Sequence, residues 1–180
     1  MIPEFLLDED CEIVLNGVTW RGKNDLILNL RVLEDGSRWV ATCVDTQDWL
    51  LRDRFSEGLG LRLDDPLLWR WTFAIYTTYF FGKASDPYRA AADVLNAVPS
   101  GSGALQMGRF ELGQLLETGS GSFGPLPVPA IKRIQAALTS HNIEVYPLGN
   151  DESEVSEEYH SLWFGLSYVV AQRFLVERQS

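Results

Sequence analysis

The sequence predicts a single α+β domain over residues 1–180, with a mainly antiparallel sheet from the N-terminal half and two to three helices from the second half. Three observations predict this class. Alternating, β-branched and aromatic residues dominate before residue 82, helical spacing begins after residue 85, and strands do not alternate with helices. The chain has 180 residues, 46% of them apolar and 22% charged, so it can bury a core without metal ions or disulfides.

Residues 11–44 are predicted to form strands. The runs 26–33 and 37–44 flank Glu34-Asp35-Gly36. Asp-Gly between two strand-like runs is a strong hairpin signal, because the turn favours positive φ. Further along, Leu59, Leu61 and Leu63 alternate within residues 58–63, which predicts a short strand with these leucines on one side.

The stretch from residue 69 to residue 81 holds seven aromatic residues, and residues 73–81 are predicted to form a strand. A large core explains most of these rings. Alternatively, Trp69 and Trp71 flank Arg70 and line a groove or a protein interface, where Trp, Tyr and Arg are common anchors.

Helix signals follow. Asp86-Pro87 is typical of a helix start, and the apolar spacing after it continues until Pro99. A second helix is predicted around residues 112–116, and a third from Pro129 to Asn142.

The C-terminal part of the chain is predicted to be strand. Residues 143–146 form a short strand that ends at Pro147. Residues 162–176 fit either a helix or a strand, and Gly165 with Val169-Val170 favours the strand. A short helical turn is predicted at 153–160.

The net charge of −10 is concentrated in two segments. Residues 1–12 contain five acidic residues and residues 144–158 contain six, with no Lys or Arg in either. This pattern argues against nucleic acid as a partner, because phosphate backbones need clustered basic residues. It favours a basic protein, although solvated loops that keep the chain soluble are the alternative. Residues 1–10 and 149–156 are predicted to be flexible acidic segments.

The motif Gly119-Ser120-Gly121-Ser122-Phe123-Gly124 matches G-x-G-x-x-G, but it follows a predicted helix instead of a strand. Residues 125–129 are rich in proline and separate it from the next helix. We therefore interpret residues 119–124 as a Gly/Ser loop followed by a stiff connector, and expect no nucleotide cofactor.

Other catalytic signals are weak. Cys11 lies between two acids that raise its pKa, and Cys43 is expected to be a core residue. Asp64-Asp65 is typical of a turn, although an acid–base pair is the alternative. Glu157, Glu158 and His160, with Asp151 and Glu154, could serve a divalent metal. Their spacing matches neither a zinc site nor an EF-hand, so no metal site is expected.

The leading hypothesis is a non-catalytic, acidic protein-binding domain in the cytoplasm, such as an inhibitor, an immunity-type protein or a regulatory adaptor of a basic partner. Its predicted contact residues are Glu152, Glu154, Glu157, Glu158, Trp69 and Trp71. The alternative is a small enzyme or ligand-binding domain with an aromatic-lined pocket around residues 69–81, using Asp64, Asp65 or His160. Self-association through the aromatic residues is a third hypothesis, and no membrane partner is expected.

Overall fold

A computed structural model describes residues 2–151 and 159–179. The chain divides into two compact units, the first made of residues 1–68 and 158–180 and the second of residues 69–157. The second unit is therefore one continuous stretch of sequence between the two parts of the first. Within the described ranges, no helix has the length and apolar character that a membrane span requires.

The described residues form ten strands and four α-helices. The strands are β1 (Glu12–Arg21), β2 (Asp25–Val32), β3 (Arg38–Leu50), β4 (Phe55–Glu57), β5 (Gly60–Arg62), β6 (Ile75–Phe81), β7 (Ser120–Pro127), β8 (Glu144–Asp151), β9 (His160–Phe164) and β10 (Ser167–Arg178). The helices are α1 (Trp69–Thr72), α2 (Pro87–Ala97), α3 (Arg109–Glu117) and α4 (Val128–Thr139). All pairings between these strands are antiparallel, which confirms the predicted sheet-rich α+β class. The helices are not confined to the second half, because α1 begins at Trp69.

The first unit is a seven-stranded sheet, among described residues, in the order β4-β1-β2-β3-β10-β9-β5. Its two edge strands, β4 and β5, are joined by only Gly58 and Leu59. The sheet therefore curls until its edges approach each other, and Leu59 is buried at this junction. The backbone N–H of Gly165, in the turn between β9 and β10, donates to Ser56 Oγ at 2.8 Å. This hydrogen bond ties β4 to the β9–β10 hairpin.

The predicted hairpin is confirmed as β2 and β3. Leu30 pairs with Trp39, and alternate β2 residues from Leu26 to Val32 are buried. In the turn, the Ser37 N–H donates to Asp35 Oδ1 at 2.8 Å, and Gly36 has a φ of 70°. The sequence signal was sufficient here because both its parts, the strand pattern and the turn residues, are local.

Gly36→Val is expected to destabilise the protein by about 1–3 kcal/mol through backbone strain. A Cβ at Gly36 meets no atom within 4 Å, so steric overlap adds nothing. Gly101→Val is the matched control, because its Cβ is also free of contacts and its φ is not positive. Chemical denaturation measures both. Equal free energies of unfolding for the two variants would show that the turn does not require a left-handed residue.

The N-terminal acidic segment is attached to the core of the first unit. Residues Glu4–Leu7 form a 3-10 helix, and Leu6 is fully buried. Of the three alternating leucines predicted on one side of a strand, only Leu59 is buried, whereas Leu61 and Leu63 are exposed at the short strand β5.

The second unit is a three-stranded sheet, ordered β7-β6-β8, with helices α2, α3 and α4 contributing to a core on one of its faces. Helix α2 begins as predicted, with Asp86 Oδ1 accepting the Arg89 N–H at 3.0 Å. Phe80 on β6 is buried among the helix residues, for example Leu116 and Ile134. Helices α3 and α4 also lie where the apolar spacing predicts them.

Three local predictions need correction. Residues 119–124 are not a loop, because Ser120–Pro127 forms β7 and pairs with β6. The aromatic stretch begins as helix α1, and its strand starts at Ile75. Strand β8 continues through Pro147 to Asp151. The C-terminal run is strand, as predicted, in β9 and β10, whereas most of the helical turn predicted at 153–160 lies outside the described residues.

Candidate functional site

An acidic surface lies in the first unit where β1 meets β4. Glu12 pairs directly with Glu57 across these antiparallel strands, and both side chains are exposed. Like charges placed directly opposite each other destabilise a strand pair. Among the described residues, neither carboxylate has a salt-bridge partner. The pairing therefore costs stability without any compensating ion pair in the described part of the chain.

The segment before β1 adds three more exposed acids to this surface. These are Asp8, Glu9 and Asp10. The segment is fixed to β4 because the Gly58 N–H donates to the Cys11 carbonyl at 2.7 Å. A Cβ on Gly58 would also clash with the Asp8 carbonyl oxygen, so only glycine permits this approach. We call Asp8, Glu9, Asp10, Glu12 and Glu57 the acidic edge.

The thiol of Cys11 responds to these charges. Burial raises its pKa, and the negative charges of Glu34, Asp8 and Asp35 raise it further. The local potential is thus negative over the β1–β4 junction and the neighbouring β2–β3 turn. A thiol with a raised pKa stays protonated and is a poor nucleophile. The raised pKa of Cys11 instead indicates the negative potential beside the acidic edge.

A groove of about 410 Å³ adjoins the acidic edge. Its lining consists of Phe55, Ser56, Glu57, Gly58, Gly60, Trp163 and Gly165. Three glycines leave this groove with little side-chain bulk, so another chain can approach the backbone closely. The carboxylate of Glu57 and the ring of Phe55 are groups that a lysine or arginine side chain prefers, whereas the ring of Trp163 already holds the Arg62 guanidinium. We call this space the edge groove.

Trp163 is held in a fixed orientation by Asp65. Its Nε1–H lies 2.8 Å from Asp65 Oδ2 and 3.0 Å from Ser161 Oγ. The guanidinium of Arg62 lies 4.8 Å from the Trp163 ring centroid. Asp65 Oδ1 also accepts the Leu67 N–H at 2.9 Å. The aromatic wall of the edge groove is therefore rigid, which lowers the entropic cost of binding.

The alternative acid–base role predicted for Asp64 and Asp65 does not fit this arrangement. Asp64 is exposed, whereas Asp65 is 6% exposed and is occupied by the donors around Trp163. The adjacent carboxylates lie in different environments, so they do not form a shared pair. The network makes Asp65 a structural residue that positions the groove wall.

A second candidate surface lies in the second unit, on the sheet face opposite the helices. Tyr79 pairs with Tyr146 across β6 and β8, and their rings stack with centroids 6.4 Å apart. Phe81 is 62% exposed and Leu148 is 55% exposed. Exposed rings of this kind are typical interface anchors. We call these four residues the aromatic sheet face, and the acidic residues 152–158 follow β8 in the sequence.

The edges of this small sheet do not favour strand addition. Strand β8 contains Pro147, and β7 contains Pro125 and Pro127. Proline removes an N–H donor and protects an edge from pairing with another chain. A partner at this sheet is therefore expected to contact side chains on its face.

The residues predicted from the sequence as contacts are placed as follows. Trp69 is 7% exposed and belongs to the core of the second unit, with the Arg133 guanidinium 5.3 Å from its ring centroid. Trp71 is half-buried, and the Arg70 guanidinium lies 5.2 Å from its centroid. Glu152, Glu154, Glu157 and Glu158 lie outside the described residues. The acidic edge was missed, since its pairing joins distant parts of the chain.

The other titratable groups are in structural positions. Cys43 is fully buried in the hairpin, and burial, followed by the charge of Asp25, raises its pKa to about 12. His141 Nε2 lies 2.8 Å from Asp93 Oδ2, which ties the end of α4 to α2. His160 begins β9, and within residues 2–151 and 159–179 no group of His, Cys, Asp and Glu is arranged to hold a metal ion.

The glycines of residues 119–124 serve packing in this structure. A Cβ at Gly121 would lie 2.9 Å from a ring carbon of Phe80 and 3.1 Å from a methyl carbon of Leu115. The glycine thus lets α3 and β6 approach β7. This role explains the motif without a phosphate ligand.

We expect no saturable binding of NAD, FAD or ATP at residues 119–124. Titration of each nucleotide, followed by the fluorescence of the six Trp residues and by the melting temperature, checks this expectation. The reason is that the glycines lie before or within β7, which pairs with β6, and α4 begins only after β7 ends. A saturable change in either signal for any of the three nucleotides would contradict this expectation.

Comparisons with protein-family models, with curated protein sequences and with solved structures found no match to this chain. The acidic edge, the edge groove and the aromatic sheet face are therefore the features from which a function is inferred.

Proposed function

We propose that this protein acts by binding a basic protein partner, as an inhibitor, an immunity-type protein or a regulatory adaptor does, and not by catalysis. The observation that carries the proposal is the pairing of Glu12 with Glu57 beside the edge groove. Two carboxylates held opposite each other cost stability, and a cationic partner offsets that cost on binding.

The edge groove supports recognition of a lysine or arginine side chain. Glu57 supplies a carboxylate, and the exposed ring of Phe55 supplies an aromatic surface in the same groove. A cation desolvated between a carboxylate and an aromatic ring gains from both ion pairing and cation–π attraction. The remaining residues of the acidic edge then lie around the contact and guide the partner towards it.

Residues 144–158 supply the second acidic element of the proposal. Glu152, Glu154, Glu157 and Glu158 follow β8, which carries Tyr146 and Leu148 of the aromatic sheet face. The charges are proposed to accelerate the encounter, and the exposed rings to slow dissociation. Trp71 is retained as a proposed contact, whereas the burial of Trp69 favours a packing role for that ring.

A capture experiment tests this function. The wild-type protein, the triple variant Glu9→Gln/Glu12→Gln/Glu57→Gln and the control Asp64→Asn/Glu117→Gln/Glu177→Gln are immobilised and exposed to extract of the native host. The control removes the same charge from exposed sites outside the acidic edge. A basic protein that binds wild type and control, and binds the triple variant weakly, is expected, and direct binding is then measured with the purified partner. Equal capture by all three proteins would contradict the role of the acidic edge.

A further inference from the structure

A separate cleft of about 330 Å³ lies in the second unit, beside the aromatic stretch. Its apolar walls include Ile75, Met107, Phe123, Pro125 and Pro127. This volume is near the lower end of the range of about 300–1,000 Å³ that is typical of small-molecule sites. The cleft is too small to admit a folded partner, so its occupant is a small ligand or a single side chain.

Arg70 places a cation at this apolar cleft. It lines the cleft, and its guanidinium is exposed with no carboxylate at salt-bridge distance among the described residues. The nearby ring of Trp71 restrains the guanidinium, whose centre lies 5.2 Å from the ring centroid. In a chain with a net charge of −10, an arginine so placed beside an apolar wall is complementary to an anion.

The hydroxyl group of Ser102, which also lines the cleft, is already engaged. Ser102 Oγ donates to the Pro99 carbonyl at 2.7 Å and accepts the Ala104 N–H at 3.3 Å. Of the remaining polar side chains in the lining, Arg70 is charged and Gln106 is neutral, so Arg70 is the group that pairs with an anionic ligand head. A single guanidinium matches a carboxylate in charge and can pair with both of its oxygens in bidentate geometry.

We propose that this cleft binds a small amphipathic carboxylate, with its carboxylate paired to Arg70 and its apolar chain against Met107 and Phe123. The proposal is independent of the protein partner, because no residue of the acidic edge or of the aromatic sheet face takes part. It assigns a ligand class to a cleft that the proposed protein-binding function does not use.

Isothermal titration calorimetry with decanoate, decanol, decyl phosphate and decylamine, each below its micelle concentration, tests the proposal. Decanoate is expected to bind saturably with one site. Decanol should bind about tenfold more weakly, since it lacks the charge that pairs with Arg70, and decyl phosphate tests whether another anionic head is accepted. Decylamine should not bind.

Variants locate the site. Arg70→Gln is expected to weaken decanoate binding about tenfold, and Met107→Trp should abolish it by filling the cleft. Arg89→Gln, which removes an exposed arginine of α2 in the same unit, should leave it unchanged. Circular dichroism verifies that each variant is folded, and Arg70→Gln is decisive because its exposed side chain does not contribute to the core. No saturable decanoate binding, decanol binding as tight as decanoate, or equal affinities of Arg70→Gln and wild type would overturn the proposal.

Discussion

Asp65→Ala is expected to lower the free energy of unfolding by about 2–4 kcal/mol. Asp65 is buried, and its carboxylate accepts hydrogen bonds from Trp163 Nε1 and from the Leu67 backbone. Removing it leaves the Leu67 N–H without an acceptor, leaves Trp163 Nε1 with Ser161 Oγ alone, and removes the carboxylate that lies 3.5 Å from the Arg62 guanidinium. The cost of an unsatisfied buried donor is about 1–3 kcal/mol each, and partial relaxation reduces the sum.

The neighbouring Asp64→Ala is the matched control for this measurement. Asp64 is exposed, so its loss is expected to change stability by about 0.5 kcal/mol or less. Chemical denaturation gives both values, and the total tryptophan emission should shift in Asp65→Ala alone, because Trp163 loses a hydrogen-bond partner there. If Asp65→Ala is no less stable than Asp64→Ala, the Trp163 wall of the edge groove is not held as described.

The second large effect is expected on the rate of partner binding. The quadruple variant Glu152→Gln/Glu154→Gln/Glu157→Gln/Glu158→Gln should associate about tenfold more slowly at low salt, because clustered charge steers the encounter. The salt dependence of its association rate should also flatten, since screening then has less attraction to act on. The fold should remain intact, as surface charges contribute little to stability.

A control with the same net charge separates steering from total charge. Asp64→Asn/Glu111→Gln/Glu117→Gln/Glu177→Gln also removes four negative charges from exposed sites. Glu111→Gln keeps a side-chain oxygen that can accept the Gly108 N–H, so the cap of α3 is retained. Stopped-flow association at several salt concentrations compares the two variants. Equal association rates and equal salt slopes for the two variants would show that residues 152–158 do not steer the partner and only help to keep the chain soluble.

Local signals in the sequence were sufficient for some elements of the fold. The Asp35-Gly36 turn and the Asp86-Pro87 helix start both depend on residues that are adjacent in the chain. Strand β7 was missed for the opposite reason. Its glycines and prolines favour a loop, and it is a strand because β6 lies alongside it, which no local pattern reveals.

The candidate site was less accessible to prediction than the fold. The acidic character of residues 1–12 was evident from composition, but the pairing of Glu12 with Glu57 joins residues far apart in sequence. Asp65 was correctly associated with a turn, since it accepts the Leu67 N–H, yet its contact with Trp163 spans 98 positions. Conversely, Trp69 is buried in the core of the second unit, where α1 places it. The number of aromatic residues in a stretch does not by itself show which of them are buried.

The association rate of the triple variant Glu9→Gln/Glu12→Gln/Glu57→Gln with the purified basic partner tests the central claim most directly. Relative to wild type, we expect slower association, a flatter salt slope and faster dissociation, because Glu57 both attracts the partner and lines the edge groove. The control Asp64→Asn/Glu117→Gln/Glu177→Gln should match the wild type. If the triple variant binds with the same rate constants and the same salt dependence as the wild type, the acidic edge is not the surface that recognises the partner.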